Sequence, residues 1–185
     1  MDCTRACGAW QREESCGGFG CRWVGEEVSH NLIDRDLDNS DKDPALLKNQ
    51  FGRSKPILMH VSNFRAVKRV RDVIRIYSAV NRVLPSVLVM IGDGPDRPAA
   101  EEEARMLGIE ASVSFLGKRD QIAPLLAAAD LFLLPSQSES FGLSTLEALA
   151  SGGPGVGSNA GALPDVVRDG WTGSRCPVGA IPGMA

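Results

Sequence analysis

No stretch of the 185-residue chain approaches the roughly 18 consecutive apolar residues that a membrane-spanning helix needs, so a helical span is excluded. The N-terminus is polar and lacks the apolar core of a signal peptide, which makes the cytoplasm the expected compartment. A positive balance is absent too. The 20 lysines and arginines face 23 aspartates and glutamates, a net charge of -3, which offers no general attraction for nucleic acid or a membrane surface. Cysteine is nearly absent beyond the first 21 residues. Cys3, Cys7, Cys16 and Cys21 are spaced C-x3-C and C-x4-C, without the two-residue knuckles usual for structural zinc, and no metal is expected. Residues 1–27 also show no helical or strand periodicity and hold Gly8, Gly17, Gly18, Gly20 and Gly25, the texture of a poorly ordered leader.

What is present is one domain's worth of alternating structure, and 43% hydrophobic residues suffice for a core. Its expected span is 28–185. A short extended piece at Val28–Asp34 leads into an acidic loop, and Pro44 is placed to begin a short helix through Lys48. Apolar runs at Pro56–Ser62, Val87–Ile91, Val113–Leu116 and Leu131–Leu134 predict buried strands. Between them, helical spacing predicts helices from about Lys68, over Pro98–Leu107, and through Ile122, Leu125, Leu126 and Ala129. Gly155–Ser158 stands where a fifth strand is due, weakened by its glycines, and a last short helix is expected over Leu163–Arg168. Such alternation implies right-handed βαβ units and a single Rossmann-like, doubly wound parallel sheet of the α/β class.

Three stretches carry chemistry, and each follows a strand. After Leu131–Leu134 comes Gln137-Ser138-Glu139-Ser140-Phe141-Gly142-Leu143-Ser144-Thr145-Leu146-Glu147-Ala148, a loop and a helix start. The helix opening near Gly142 offers N–H groups and a positive dipole end to a phosphate, while Glu139 and Glu147 offer acceptors for sugar hydroxyls. Asn63-Phe64-Arg65-Ala66-Val67-Lys68 sets two cations at a strand's carboxyl end, where open α/β sheets bind ligands. Gly92-Asp93-Gly94-Pro95 is a tight turn that lets a phosphate or nucleotide approach closely. Taken singly, these are a helix cap, surface charges and an ordinary turn; together they should share one sheet edge.

The chain from about Val28 to Ala185 resembles the donor-binding, C-terminal half of the family-4 retaining glycosyltransferases, which have the two-domain GT-B architecture. Glu139-Ser140-Phe141-Gly142-Leu143 through Glu147 matches the family's E-x7-E motif, supported by Asn31–Asp34, Gly92–Pro95, Phe115-Leu116-Gly117 and Asn159–Val167. Within the family, His60–Val70 with Asp72–Ile74 is most similar to the bacterial N-acetylglucosaminyl L-malate synthases of bacillithiol synthesis.

The resemblance implies a UDP-sugar donor, UDP-N-acetylglucosamine first, and no cofactor. Glu147 would hold ribose hydroxyls and Glu139 the sugar. Lys68 and Arg65 would neutralise the diphosphate beside Asn63, Gly92, Gly94 and the turn Ser140-Phe141-Gly142-Leu143. Backbone near Gly117 and Lys118 would meet the uracil. Relatives often carry arginine where this chain has Asn63, and a branched apolar residue at Gly153 and Gly155. The family's N-terminal domain and closing helix find no match in the sequence, so the chain alone is expected to bind donor without transferring sugar. The alternative is a non-catalytic nucleotide-sugar-binding or interaction module that meets a protein partner, or itself, through the exposed interdomain face; a related nucleotide-sugar epimerase is disfavoured by the motif.

Overall fold

The computed structural model describes Lys48 and residues 55–185. The expected leader, the boundary at Val28, the acidic loop and Pro44 lie outside the described residues. Lys48 itself is helical, and its Nζ donates to Asp130 Oδ1 at 2.6 Å.

Among the described residues six strands, β1 (Ile57–Val61), β2 (Val87–Ile91), β3 (Val113–Gly117), β4 (Leu131–Leu134), β5 (Gly155–Ser158) and β6 (Gly173–Cys176), form one sheet in the order β3-β2-β1-β4-β5-β6. Every neighbouring pair is parallel. Among residues 55–185 the α-helices are α1 (Val70–Val83), α2 (Arg97–Met106), α3 (Ala123–Ala127), α4 (Leu143–Ala150), α5 (Leu163–Val166) and α6 (Ile181–Met184). This is the doubly wound α/β architecture that the alternation predicts. Strand order reverses between β1 and β4, so the chain leaves their carboxyl ends in opposite directions and opens a crevice there.

Successive strand residues face opposite sides of a sheet, and the core divides accordingly. Leu58, Leu88, Met90 and Leu133 pack on one face with Val73, Tyr77 and Ala104 of α1 and α2. Met59, Val89, Ile91, Phe132 and Leu134 pack on the other with Leu126, Ala148 and Leu163 of α3, α4 and α5. Each fully buried large apolar side chain contributes about 1.5–3 kcal/mol, so this two-sided core holds the sheet edge on which the loops stand.

Several elements differ from expectation. The helix expected from Lys68 begins at Val70, because Arg69 takes the left-handed conformation (φ 50°) after a single 3-10 turn at Ala66–Lys68. The expected helix to Arg168 stops at Val166. Strand β5 forms despite its glycines, and beyond it lie β6 and α6, which the sequence does not signal. Gly173 is needed there: a Cβ would stand 1.8 Å from the Gly155 carbonyl oxygen across the ladder.

Three arginines in and just before α1 are committed to buried acids. Arg71 and Arg75 both bind Glu103, at 2.5 and 2.7 Å, and Arg69 binds Asp72 at 2.5 Å. Hydrogen bonds from Arg75 above all hold the Glu103 carboxyl below its ordinary range.

Candidate functional site

The crevice between β1 and β4 is built from two loops that are tied together. The backbone N–H of Gln137, after β4, donates to the Val67 carbonyl, after β1, at 2.7 Å. Beside that bond, Lys68 Nζ lies 2.5 Å from Glu139 Oε1. The two residues are 71 positions apart in sequence, and their side chains are only 19% and 8% exposed. A carboxylate so buried requires a cation or donors, and Lys68 supplies the charge.

A third loop fixes Glu139 from behind. The Ala162 N–H donates to the Glu139 carbonyl at 2.9 Å, and Gly161 (φ +60°) lies so close that a Cβ would stand 2.3 Å from that oxygen. Only glycine fits, and its absent side chain is what lets the Glu139 backbone sit there.

Helix α4 then opens at Gly142 (φ 73°), with no side-chain cap and no acid in its first turn. The first-turn N–H groups therefore remain without a side-chain acceptor, and an anion is their natural partner. Ser140, Phe141 and Leu143 are exposed around this turn, and Glu147 is half-buried five residues past Gly142.

On the β1 side, Asn63 and Arg65 are exposed and Lys68 is half-buried. Phe64 between them is fully buried and holds a left-handed backbone (φ 41°), rare for an aromatic residue. Beneath it, His60 Nδ1 lies 2.8 Å from the Leu133 carbonyl and Nε2 2.8 Å from Ser62 Oγ. Burial drives the imidazole pKa down to about 4, with a smaller push from Lys68, against the opposing effects of the Leu133 bond and Glu139. The ring is neutral.

The glycines at the ends of β2 and β3 stand on the same edge. A Cβ on Gly92 would meet the Ser62 carbonyl at 1.8 Å, and one on Gly94 the Asn63 carbonyl at 2.0 Å. The close approach that their sequence advertises is to the backbone of the β1 loop, which they hold in place. Gly117 (φ +70°) accepts from the Gly92 N–H at 2.9 Å, and Lys118 beyond it is exposed. The expected residues thus lie along one edge, where Lys68 and Glu139 form a side-chain ion pair and the Gly92–Gly117 and Gly94–Asn63 approaches are made by backbone.

Four residues that shape the site were not singled out from the sequence: His60, Ser62, Gln137 and Gly161. The available signals were one polar ring inside an apolar strand and one glycine in Asn159–Val167. Among the described residues, no group of three or more His, Cys, Asp or Glu is placed to hold a metal ion, and no helix is long and apolar enough to cross a membrane.

Comparison with known proteins identifies the family and the fold. Residues 41–182 match the family described as glycosyl transferases group 1. The chain is 44% identical over 161 residues to the N-acetyl-alpha-D-glucosaminyl L-malate synthase of Bacillus anthracis, covering 86% of this chain and 42% of that protein. Among solved structures, Anabaena HepE with UDP-glucose superposes with a TM-score of 0.76 at 27% identity, covering 84% of this chain and 44% of that one. HepE with UDP gives 0.74 at the same identity, covering 83% and 45%. The chain therefore spans under half the length of each of these relatives. Its sheet is the kind found in GT-B glycosyltransferases, and the chain belongs to the glycosyl transferases group 1 family.

Proposed function

We propose that this domain binds the nucleotide-sugar donor of a retaining sugar transferase, with UDP-N-acetylglucosamine the first donor to test and a small hydroxy acid such as L-malate as acceptor. The observation that carries the reading is the Lys68–Glu139 pair, 2.5 Å apart at the strand-order reversal and beside the uncapped start of α4. A group that bears both phosphates and hydroxyls matches that combination of cation, N–H groups and carboxylates. The sequence similarity to the malate synthase and the UDP complexes of HepE support the same choice.

In this scheme the anomeric carbon of the sugar exchanges its bond to the diphosphate oxygen for one to the acceptor hydroxyl oxygen, the hydroxyl proton is released, and UDP departs with an added negative charge. Lys68, Arg65 and the first turn of α4 stabilise that charge, commonly the largest single catalytic contribution, and no metal is assigned a part. Glu139 receives sugar hydroxyls and Glu147 those of the ribose, while Gly117 and Lys118 border the base. A diphosphate entering the crevice competes with Glu139 for Lys68, so the pair holds each side chain in place until donor arrives. Transfer also needs an acceptor held in a water-excluding cleft, so donor binding is the property assigned to this site by itself.

A second reading rests on Val67, Phe141 and Leu143, apolar residues 37–38% exposed on the two tied loops and the start of α4, as on a face that meets another chain. Calorimetric titration with UDP and UDP-N-acetylglucosamine separates the two. The donor reading expects binding that Glu147→Ala abolishes or weakens at least tenfold, a loss of about 1.4 kcal/mol or more. No binding by the folded wild-type chain would put the interaction reading ahead.

A further inference from the structure

Strand β1 is apolar except for His60, whose side chain is fully buried. Its Nδ1 faces the Leu133 carbonyl at 2.8 Å, just past the last paired residues of β1 and β4, Met59 and Phe132. A carbonyl only accepts, so Nδ1 carries the proton. In a neutral ring Nε2 is then an acceptor, and Ser62, at 2.8 Å, donates its O–H to it. Ser62 Oγ in turn accepts the Phe64 N–H at 3.3 Å. A directed series of three bonds thus runs from the loop to the opposite strand.

That series ends at the most unusual backbone of the loop. Phe64 holds φ 41°, its ring lies 6.0 Å from the His60 ring at 26° between planes, and its carbonyl accepts the Asp96 N–H at 3.0 Å. A left-handed aromatic residue persists only when its surroundings over-determine it. Arg65 and the 3-10 turn Ala66–Lys68 follow directly, so the direction in which Lys68 leaves the loop is set at Phe64.

We infer that His60 is a positioning residue for the Lys68–Glu139 site: held neutral with its proton on Nδ1, it orients Ser62, and Ser62 fixes the turn at Phe64 from which Lys68 reaches Glu139. An apolar residue at 60 could fill the volume, but it would leave the Leu133 carbonyl and the Ser62 hydroxyl without this partner. Protonation would have the same effect by another route, since an Nε2–H would point at the Ser62 hydroxyl and end its role as donor. The charged groups facing the ring are Lys68 and Glu139. Its consequence for donor affinity rests on the donor-site reading; its consequence for the loop does not.

Two measurements test the inference. The chain holds two histidines, so His30→Gln assigns the His60 resonances in a long-range proton–nitrogen spectrum of the imidazole. The expected result is a neutral ring with a protonated Nδ1 and a bare Nε2, unchanged from about pH 7.5 down to about pH 5.5. Second, Ser62→Ala should speed exchange of the Phe64 amide about tenfold and weaken UDP binding about fivefold, with α1 amides unaffected and Ser62→Thr restoring both, as loss of one hydrogen bond predicts. An imidazolium or a protonated Nε2 in that pH range overturns it. So does Phe64 exchange that Ser62→Ala leaves within about twofold of wild type. If wild type does not bind UDP, the donor reading fails, while tautomer and exchange still decide the role of His60.

Discussion

Gly161 offers the sharpest test of how Glu139 is held. Replacing it with alanine puts a Cβ 2.3 Å from the Glu139 carbonyl oxygen, 2.6 Å from its nitrogen and 3.0 Å from its carbonyl carbon. Non-bonded atoms of this kind rest near 3.5 Å, so the Glu139 backbone must retreat by about 1 Å. The left-handed φ of +60° costs an L-residue about 1–2 kcal/mol, and strain on the Ala162–Glu139 hydrogen bond adds about 0.5–1.5 kcal/mol. For a domain of this size the sum lowers the Tm by roughly 5–10 °C. A useful control is Gly152→Ala: Gly152 is also left-handed (φ +89°), but a Cβ there meets nothing within 4 Å. Thermal unfolding of both variants separates backbone strain from the clash, and titration with UDP and UDP-N-acetylglucosamine reads the displacement of Glu139. Gly161→Ala should lose more Tm than Gly152→Ala and weaken the sugar nucleotide more than UDP. Equal effects of the two substitutions would refute the claim that Gly161 seats Glu139.

Two further predictions concern stability. Gly155→Ala should stabilise by about 0.5–1 kcal/mol in denaturant unfolding, because the backbone there is not left-handed and the new Cβ meets Thr145 and Val167 at ordinary distances of 3.6 and 3.8 Å. His60, with a folded pKa of about 4 against an ordinary 6.5, binds its proton in the unfolded chain first; its contribution is full above about pH 6.5 and lost as pH falls toward 4. The loss near pH 5 should be about 2 kcal/mol, and a His60→Asn variant should lack that acid sensitivity when unfolding is compared at about pH 7 and 5.

Much of this was legible in the residues. The runs Val87–Ile91 and Leu131–Leu134 delimit β2 and β4 to the residue, because strands covered on both faces are apolar throughout. Strand β6 was not legible. Gly173-Ser174-Arg175-Cys176 has no apolar run, and it pairs through a ladder with β5 that its side chains do not announce. The glycines were readable as points of close approach, but a missing Cβ does not say what comes near: at Gly92 and Gly94 it is the β1 loop, at Gly161 the backbone of Glu139. His60 was hidden by its setting, since one polar ring in a core strand reads as packing until its partners at Leu133 and Ser62 are known.

The cation cluster shows how ion pairs separate residues that spacing leaves alike. Arg65, Lys68, Arg69, Arg71 and Arg75 look interchangeable along the chain, yet two buried acids divide them. Glu103, 5% exposed, takes Arg71 and Arg75, and Asp72, also 5% exposed, takes Arg69 and draws Arg75 to 3.5 Å. These three arginines are already held against the helices by short ion pairs to those acids and are poor candidates for an incoming anion. Lys68 differs because its acid, Glu139, stands on a loop at the crevice, beside the first turn of α4, which no side chain caps. A diphosphate placed there supplies Lys68 with a replacement for the charge it gives up, and Glu139 with hydroxyl donors from the attached sugar. Neither side chain is then left buried and alone, which is the physical reason the proposed donor is set at this pair, with Arg65 beside it, and not at Arg69, Arg71 or Arg75.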